Sequence, residues 1–332
     1  MDSDDDVKTA MEDVFLYQLD AEKGEGKELA KEFNVKAYPS FILTNSDGET
    51  LDRWVGYEKN FFIETMDVAL DDLSTIKEKL ARFDSEPSVR DASALGRYSN
   101  AVGEYKDAVM YFTIAQTMND DPSRDHTYYI FENTSRGLEG EHFTFDDVIK
   151  AADNVMNSKI ANPRIKVVTA RRMTSLAKRQ ERLDIVAPYI EAGLKMVSGS
   201  DEPDAKEAYN ELMVEKALYI TNDKDKAVKY KKATMPEGWM DDAGKLNSFC
   251  WWCFENLVNL KEAEKLSRKS VELAEAGRQK AMNLDTLAEI CNALDNCHEA
   301  VDLIKMAMAE NPESEYYPKQ LERFEKILAS QN

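Results

Sequence analysis

The chain has 332 residues, of which 43% are hydrophobic and 32% are charged, the composition of a globular protein with about two domains. Its 43 basic and 63 acidic residues give a formal net charge of −20, which repels phosphate backbones and anionic lipids, so we expect no nucleic-acid partner. We also expect no membrane insertion, because no apolar run approaches the roughly 18 residues that span a bilayer and the start "MDSDDDVKTA" is acidic where a signal peptide is basic and then apolar.

The N-terminal part alternates strand and helix signals. Residues 14–19, "VFLYQL", are a short apolar run that predicts a strand, and the "DAEKGEG" that follows predicts a loop. Leu29, Ala30 and Phe33 then recur at helical spacing. "AYPSFILTN" predicts a strand entered through a proline, "SDGE" a tight turn and "TLDRWVGY" the partner strand of a hairpin. Residues 59–73 predict an amphipathic helix with these residues on its inner side: Phe61, Phe62, Met66, Leu70 and Leu73.

This order of elements resembles the C-terminal part of a thioredoxin domain. The resemblance covers residues 1–73 and rests on "LDAEKGEGKELAKEFNVKAYPSFIL" and "DGETLDRWVGY". It implies that the peptide bond before Pro39 is cis, and that the loop of Tyr38, Pro39 and Ser40 binds peptides by letting an extended segment pair with its backbone. We therefore predict a thioredoxin-like α/β domain at 1–73.

The thiols of that family are missing from this chain. The family's chemistry needs a Cys-x-x-Cys pair at the start of the helix that here reads "DSDDDVKTAMEDV", where the helix dipole lowers a thiol pKa. In similar proteins the pair comes just before a "K-x-M-D" segment, so Met1 and Asp2 would begin just after it. Because the missing segment also supplies two strands, we expect an N-terminally truncated, incomplete sheet. Residues 14–19 would be its exposed edge, through which two chains could form a dimer.

From residue 74 onward the helical period replaces strand signals, so we predict an all-α domain at 74–332, with Pro87 near its start. Three units repeat the same spacing of 7, 2, 3, 4 and 3 residues. Their members are Gly96, Gly103, Tyr105, Ala108, Phe112 and Ala115; Trp251, Val258, Leu260, Ala263, Ser267 and Ser270; and Ala288, Asp295, Cys297, Ala300, Ile304 and Ala307. Small residues at these places let the two helices of a hairpin approach closely.

The spacing resembles tetratricopeptide repeats at 89–122 and 281–314, and a more degenerate copy at 247–274. Residues 143–235 are predicted to be helical but match the repeat poorly. The C-terminal stretch also resembles the helical extension of some bacterial secreted thioredoxin-like proteins. Such repeats stack into arrays whose concave face binds peptides or partner helices, which implies binding rather than catalysis.

The "CWWC" at Cys250 and Cys253 has two interpretations. It is either a redox pair or two buried small hydrophobic residues, and its place inside a helical repeat, rather than at a strand-to-helix turn, favours the second. A zinc site would draw on those two together with Cys291, Cys297 and His298. The nearly forty residues between the pairs exceed the spacing of ribbon-type sites, so we expect no metal and no cofactor.

Residues 164–182 are basic against the acidic background. Arg164, Arg171, Lys178 and Arg182 share one face of a predicted helix, and Arg172 lies beside them. These side chains form either a solvated stripe paired with acidic neighbours or a cradle for the carboxylates of a partner.

Two further motifs receive ordinary interpretations. Asp2, Asp4 and Asp6 alternate as at the start of a calcium loop, but the glycine and final glutamate of such a loop are lacking, which favours an acidic helix start. The glycosylation-type triplet at Asn133 is attributed to chance.

The sequence thus favours a non-enzymatic protein- or peptide-binding chain that uses the loop at Tyr38 to Ser40 and the helical array. The alternative is a thiol-disulfide oxidoreductase whose Cys-x-x-Cys lies upstream of Met1. The resemblance implies export to the periplasm if a longer protein carries a signal peptide, and a cytoplasmic location otherwise.

Overall fold

The computed structural model describes residues 4–121 and 124–331. Within them the protein is predominantly helical, with seventeen α-helices, two short 3-10 helices and one two-stranded antiparallel sheet near the N-terminus. The described residues fall into two compact units whose boundary lies between Thr169 and Ala170. The division predicted near residue 73 marks a different feature, the end of the strand-containing part, and stays a prediction.

The N-terminal unit contains both strands. Its elements are α1 (Asp5–Ala10), α2 (Gly24–Glu32), β1 (Ser40–Thr44), β2 (Thr50–Val55), α3 (Lys59–Leu70), α4 (Ile76–Ser85), α5 (Val89–Val102), α6 (Tyr105–Met118), α7 (Thr127–Gly137) and α8 (Phe145–Asn157). The unit boundary falls inside the next helix, α9 (Pro163–Arg179).

The C-terminal unit is helical throughout its described residues. Its further elements are α10 (Val186–Val197), α11 (Pro203–Tyr219), α12 (Lys224–Ala233), α13 (Ala243–Glu255), α14 (Leu260–Leu273), α15 (Arg278–Ala293), α16 (Cys297–Glu310) and α17 (Tyr316–Gln331), with 3-10 helices at Leu183–Ile185 and Trp239–Asp241. The helical character predicted for 143–235 is confirmed.

The predicted hairpin is confirmed. Strands β1 and β2 pair in antiparallel register with Phe41 opposite Trp54, and the turn between them is closed by the Asn45 side chain, which accepts hydrogen bonds from the amides of Asp47 and Glu49. Gly48 adopts a φ of +80°, which a residue with a Cβ rarely takes. An Asn/Asp/Gly turn between apolar runs is therefore a reliable local signal here.

One side of the hairpin builds a small apolar core with α1 and α3. Phe41 stacks on Trp54 with ring centroids 5.5 Å apart, and Phe62 of α3 contacts both rings. Val7 of α1 and Met66 of α3 complete the buried cluster. One detail of the predicted helix is wrong: α3 ends at Leu70, and Leu73 is exposed rather than on the inner side.

Residues 14–19 do not form the predicted strand. The polypeptide there has no regular secondary structure, and among the described residues β1 pairs only with β2. A run of strand-forming side chains becomes a strand only when a neighbour supplies the hydrogen-bond ladder, and none of the described residues does so here.

The central residues of β2 are all buried, including two charged ones. Asp52 accepts hydrogen bonds from both the Nε and a terminal nitrogen of Arg97 on α5, the former at 3.2 Å. Arg53 donates to the carbonyls of Phe33, Asn34 and Ala101. Charged side chains thus join the hairpin to the helix that follows it.

Lys79 of α4 adds a third polar connection. Its ammonium is buried and donates to three backbone carbonyl oxygens, those of Leu51 at 2.8 Å, Asp72 at 3.0 Å and Ser74 at 2.6 Å. Three donors meet three acceptors, which satisfies an ammonium removed from water.

Each predicted repeat forms a pair of packed helices: α5 with α6, α13 with α14, and α15 with α16. The second helix begins at the third repeat position each time, at Tyr105, Leu260 and Cys297. The turn residues Gly103 and Asp295 occupy equivalent positions, and both adopt a positive φ, of 86° and 64°. Their shared conformation ends one helix so that the chain can reverse.

The small repeat positions lie where the paired helices are closest. Ala108, Ala263 and Ala300 are all fully buried. At Gly96 an added Cβ would lie 2.9 Å from the ring of Phe112 on the partner helix. The repeated spacing therefore reflects the close packing of the two helices in each pair.

Candidate functional site

The loop that leads into β1 has the geometry predicted from the resemblance. The bond between Tyr38 and Pro39 is cis, and the Tyr38 side chain is 60% exposed. The hydroxyl of Ser40 donates to the carbonyl of Ala37 at 2.7 Å, and the Gly56 amide donates to the carbonyl of Pro39 at 2.9 Å. The loop is therefore held against the end of β2 while an aromatic ring points to solvent.

A second surface lies in the stretch between α1 and α2. We call Phe15–Leu19 the apolar segment; Phe15 is 94% exposed, Leu16 51%, Tyr17 61% and Leu19 39%. Their backbone amides and carbonyls make no hydrogen bond to other described residues of the chain. Isolated exposed apolar residues are ordinary, but a contiguous run with an unpaired backbone is typical of an interaction surface.

Contacts at both ends and in the middle hold the apolar segment in place. Val14, just before it, packs against the core cluster of α1 and α3. At the other end, α2 passes so close that a Cβ on Gly26 would lie 2.2 Å from the carbonyl oxygen of Asp20. The Tyr17 hydroxyl donates to Glu25 on α2 at 3.0 Å. These contacts already restrict the segment, so less binding free energy is lost in ordering it when a ligand binds.

Acidic residues flank the apolar segment on both sides. Glu12 and Asp13 precede it, Asp20 and Glu22 follow it, and all four are exposed. The one basic residue in this stretch, Lys23, contacts Asp20 at 2.8 Å. The sequence predicts a strand edge here, which the structure does not form, and the flanking charge is visible in the sequence itself.

Cys250 and Cys253 have the environment of inert thiols. Both are fully buried on α13 in a cluster with Phe249, Val258 and Ile290. Burial raises the pKa of each thiol to about 12, because the thiolate would lose its hydration. A redox cysteine needs the opposite, an accessible thiolate of lowered pKa, so the geometry favours the packing interpretation.

The cysteines do not come together as a zinc site. Among the described residues the only group of three or more metal-ligand side chains with neighbouring donor atoms is Glu264, Cys291 and Glu299. Arg268 already lies among them, donating to Glu264 and Glu299 at 2.7 Å each. Its guanidinium neutralises the two carboxylates that a metal cation would otherwise neutralise.

The basic side chains at 164–182 are divided by the structure. Arg171 contacts Glu211 of α11 at 2.8 Å, which is the acidic pairing that one interpretation predicted. Arg164, Arg172 and Lys178 are exposed on α9. Arg182 does not share their helix face, because α9 ends at Arg179, and it pairs with Asp184 at 3.0 Å. The cradle for a partner's carboxylates stays a prediction.

Two motifs set aside on sequence grounds have structural roles. Asp4 caps α1 by accepting from the amides of Asp6 and Val7, the expected acidic helix start; Asp2 lies outside the described residues. Asn133 is fully buried on α7, so this triplet is not accessible for glycosylation in the folded chain.

One pair was missed from the sequence: Ser93 of α5 and His126 lie 2.9 Å apart. The Ser93 hydroxyl donates to the carbonyl of Val89 at 2.7 Å, so it accepts from the imidazole and is not poised to lose its proton to it. Burial lowers the pKa of His126, which keeps the ring neutral. The pair fixes the start of α7 against α5, and only the fold could bring together residues so far apart in sequence.

None of the helices in the described residues combines the length and the apolar character needed to cross a bilayer. A comparison with models of known protein families found no match, and a comparison with curated protein sequences found none either.

Proposed function

We propose that this chain is a non-catalytic protein- or peptide-binding module that combines a thioredoxin-like N-terminal domain with a tetratricopeptide-like helical array. The observation that carries the proposal is the apolar segment, Phe15–Leu19. Its side chains are exposed, it is held by contacts with α2 and with the core of α1 and α3, and its backbone is unpaired among the described residues.

The thioredoxin-like class is supported by the order of elements. A helix, a segment without regular secondary structure in place of the predicted strand, a second helix, a hairpin and a third helix follow one another between Asp5 and Leu70. Apart from that segment, this is the order in the resemblance. In that family the loop before β1 faces bound polypeptide, and here Tyr38 is exposed at the corresponding place.

The tetratricopeptide-like class is supported by the helix pairs. Three pairs place small buried residues at the same spacing, and each pair reverses the chain through a residue with positive φ, at Gly103, Asn259 and Asp295. Stacked helical pairs of this kind present surfaces for peptides or helices of a partner.

Binding of an extended polypeptide needs an unpaired backbone edge and apolar side chains beside it. A peptide laid along Phe15–Leu19 would form main-chain hydrogen bonds with the segment, and its apolar side chains would cover Phe15 and Leu16. Among the described residues β1 pairs only with β2, and its other edge, whose residues are all half-buried, offers the same opportunity. A strand added to an exposed edge removes both the unpaired groups and the exposed apolar area.

The test is binding of a library of fluorescent 15-residue peptides to the wild-type chain and to the double variant Phe15→Ser/Leu16→Ser. The control is Met282→Ser/Met306→Ser, which removes two exposed apolar side chains on α15 and α16. We expect the first variant to lose at least about tenfold in affinity for peptides that bind, and the control to keep it.

Equal binding by all three proteins would overturn the assignment of the apolar segment as the binding surface. Reduction of insulin disulfides by the chain would instead favour the thiol-disulfide oxidoreductase, and it would require Cys250 and Cys253 to leave their buried positions.

A further inference from the structure

The charges around the apolar segment specify the kind of polypeptide that fits it. Residues 12–25 contain five acidic residues and one lysine, a net charge of −4 concentrated at the two ends of the segment. The middle, from Val14 to Leu19, carries no charged side chain. The surface is therefore apolar in the centre and acidic at both ends.

We propose that its occupant is a β-strand of a partner protein in which apolar residues are bracketed by lysine or arginine on both sides. This rests on the proposed peptide-binding function and names its partner class.

The extended form of the occupant follows from the backbone of the segment. Five consecutive residues, 15–19, have amides and carbonyls without a partner among the described residues. In an extended conformation, at about 3.3 Å per residue, five residues make a ladder about 17 Å long, the length of an ordinary strand. Along its length a helix already pairs its backbone groups internally, and the few unpaired groups at its two ends cannot follow such a ladder, so an extended segment fits and a helix does not.

The basic ends of the occupant follow from the spacing of the acidic flanks. Asp13 and Asp20 are seven residues apart, which corresponds to about 23 Å in an extended chain. The Debye length is about 10 Å at 0.1 M salt, so each flank attracts its own end of a bound strand. Lysine or arginine at both ends, separated by about five residues, would meet both flanks.

A second copy of this chain is a poorer occupant. Antiparallel pairing of two apolar segments places Glu12 and Asp13 of one copy beside Asp20 and Glu22 of the other, and parallel pairing places each flank beside its own counterpart. Like charges meet in both arrangements, and the net charge of −20 on each chain adds to the repulsion.

The experiment compares three fluorescein-labelled peptides by anisotropy on the full chain: KKVTVTVKK, EEVTVTVEE and KKVTPTVKK. At 0.01 M salt we expect the first to bind at least about tenfold more tightly than the second, because several weak charge pairs at the two ends combine. We expect this preference to shrink in 1 M salt, where the Debye length is about 3 Å. The proline peptide should bind weakly at either salt, because proline removes a ladder donor.

The matched variant Glu12→Lys/Asp13→Lys/Glu22→Lys should reverse the preference between the basic and acidic peptides. The control Glu313→Lys/Glu315→Lys/Glu325→Lys changes the net charge equally at exposed positions of the C-terminal unit and should keep the wild-type preference. Hydrogen exchange should show new protection of residues 14–20 in the complex with KKVTVTVKK.

The outcomes separate this inference from the proposed function. Equal affinity for the basic and acidic peptides would overturn the partner class and leave peptide binding intact. Failure of every peptide to bind, here and in the 15-residue library, would remove both. Sedimentation as a dimer that the Phe15→Ser/Leu16→Ser variant abolishes would identify a second copy as the occupant and overturn the partner class.

Discussion

Strand β2 of the N-terminal unit is joined to helices α4 and α5 by charged side chains, whereas helices α15 and α16 of the C-terminal unit meet through alanine, leucine and isoleucine. In the first region Asp52 and Lys79 are buried and Arg97 is largely buried, and all three depend on one another or on backbone carbonyls. In the second, Ala288, Ala300 and Ile304 are buried among other apolar residues.

The two kinds of contact differ in how strictly they fix the placement of the elements that they join. A buried charge is tolerated only where its partner sits at hydrogen-bond distance, so the charged contacts admit essentially one placement of the hairpin on α5. An apolar contact is stabilised by area and tolerates small changes of shape. We therefore expect the two regions to respond differently to substitution.

The largest expected effect concerns access to another apolar cluster of the C-terminal unit, the one around α13. Because burial raises the pKa of Cys250 and Cys253 from 9.0 to about 12, the thiolate fraction at pH 7.5 should be about 1,000-fold lower than in the unfolded chain. Labelling of these two thiols by iodoacetamide, followed by mass spectrometry, should be slower by at least that factor in the folded protein than in 8 M urea. Rates within tenfold of each other would show that α13 opens readily.

The charged contact should be the more fragile one in equilibrium stability. Arg97→Met leaves the carboxylate of Asp52 buried without its partner, and we expect a loss of about 3–5 kcal/mol in the free energy of unfolding. The double variant Asp52→Leu/Arg97→Met should recover most of it, because no buried charge then remains. Urea unfolding of the three proteins measures this, and a loss below about 1 kcal/mol for the single variant would contradict the comparison.

Equivalent repeat positions provide an intermediate case. Gly96→Ala should destabilise the chain by about 1–2 kcal/mol, because the added Cβ meets Phe112, whose ring is held by a stacked Tyr129 with centroids 5.0 Å apart. Phe112→Leu in the same chain should relieve the clash.

The equivalent residue of the last repeat is Ala288, where Ala288→Gly should cost about 1 kcal/mol through the helix propensity of glycine. Thermal unfolding of both variants makes the comparison, and stabilisation by Gly96→Ala would show that the helices can separate to accommodate a methyl group.

A pH-dependent effect is expected within the C-terminal unit. Asp285 on α15 is buried and faces Glu289 of its own helix and Tyr316 and Arg323 of α17. Burial, together with the charge of Glu289, raises the pKa of Asp285 from 3.8 to about 6. Its ionisation therefore disfavours folding. The penalty is absent below pH 3.8, grows as the pH rises from about 4 to 6 and is complete above that range.

We accordingly expect Asp285→Asn to raise the free energy of unfolding by about 1–2 kcal/mol at pH 7.5 and to have little effect below pH 4. Urea unfolding at both pH values tests it, with Asp302→Asn, an exposed carboxylate of α16, as the control. A larger gain at the lower pH would reverse the assigned sign.

The smallest expected effect comes from a partly exposed ion pair. Arg171→Met removes the contact with Glu211, whose two side chains are 48% and 28% exposed. We expect a loss of at most about 1 kcal/mol in urea unfolding, because solvent already screens the pair. Arg172→Met, at the exposed neighbouring position, should change stability still less. A loss as large as that of Arg97→Met would show that exposure does not set the strength of charged contacts here.

The features that the sequence predicted correctly are those written in local patterns. The Asn/Asp/Gly turn of the hairpin and the spacing from Gly103 to Ala115 depend on residues close in sequence, and both were found. The residues missed depend on distant partners. Asp52 and Arg53 have the composition of a surface strand, and only the packing of α5 shows that they are buried.

The same limit explains the outcome at the candidate site. The side chains of residues 14–19 favour a strand, but a strand requires a neighbour that no local pattern reports. The acidic residues around it can be read directly from the sequence, but their sequence positions alone do not show that they flank an exposed apolar surface. One of the two interpretations of the basic stretch pairs it with acidic neighbours, and for Arg171 the neighbour, Glu211, could be identified only from the fold.

Acetylation of Lys79 can report when the hairpin separates from α4. Three carbonyl oxygens enclose its ammonium, so an acylating reagent that modifies the exposed lysines within minutes cannot reach this nitrogen until the hairpin separates from α4. The rate at which Lys79 becomes acetylated, compared with the rates of the exposed lysines, would therefore measure how often the hairpin separates from α4 in the intact protein.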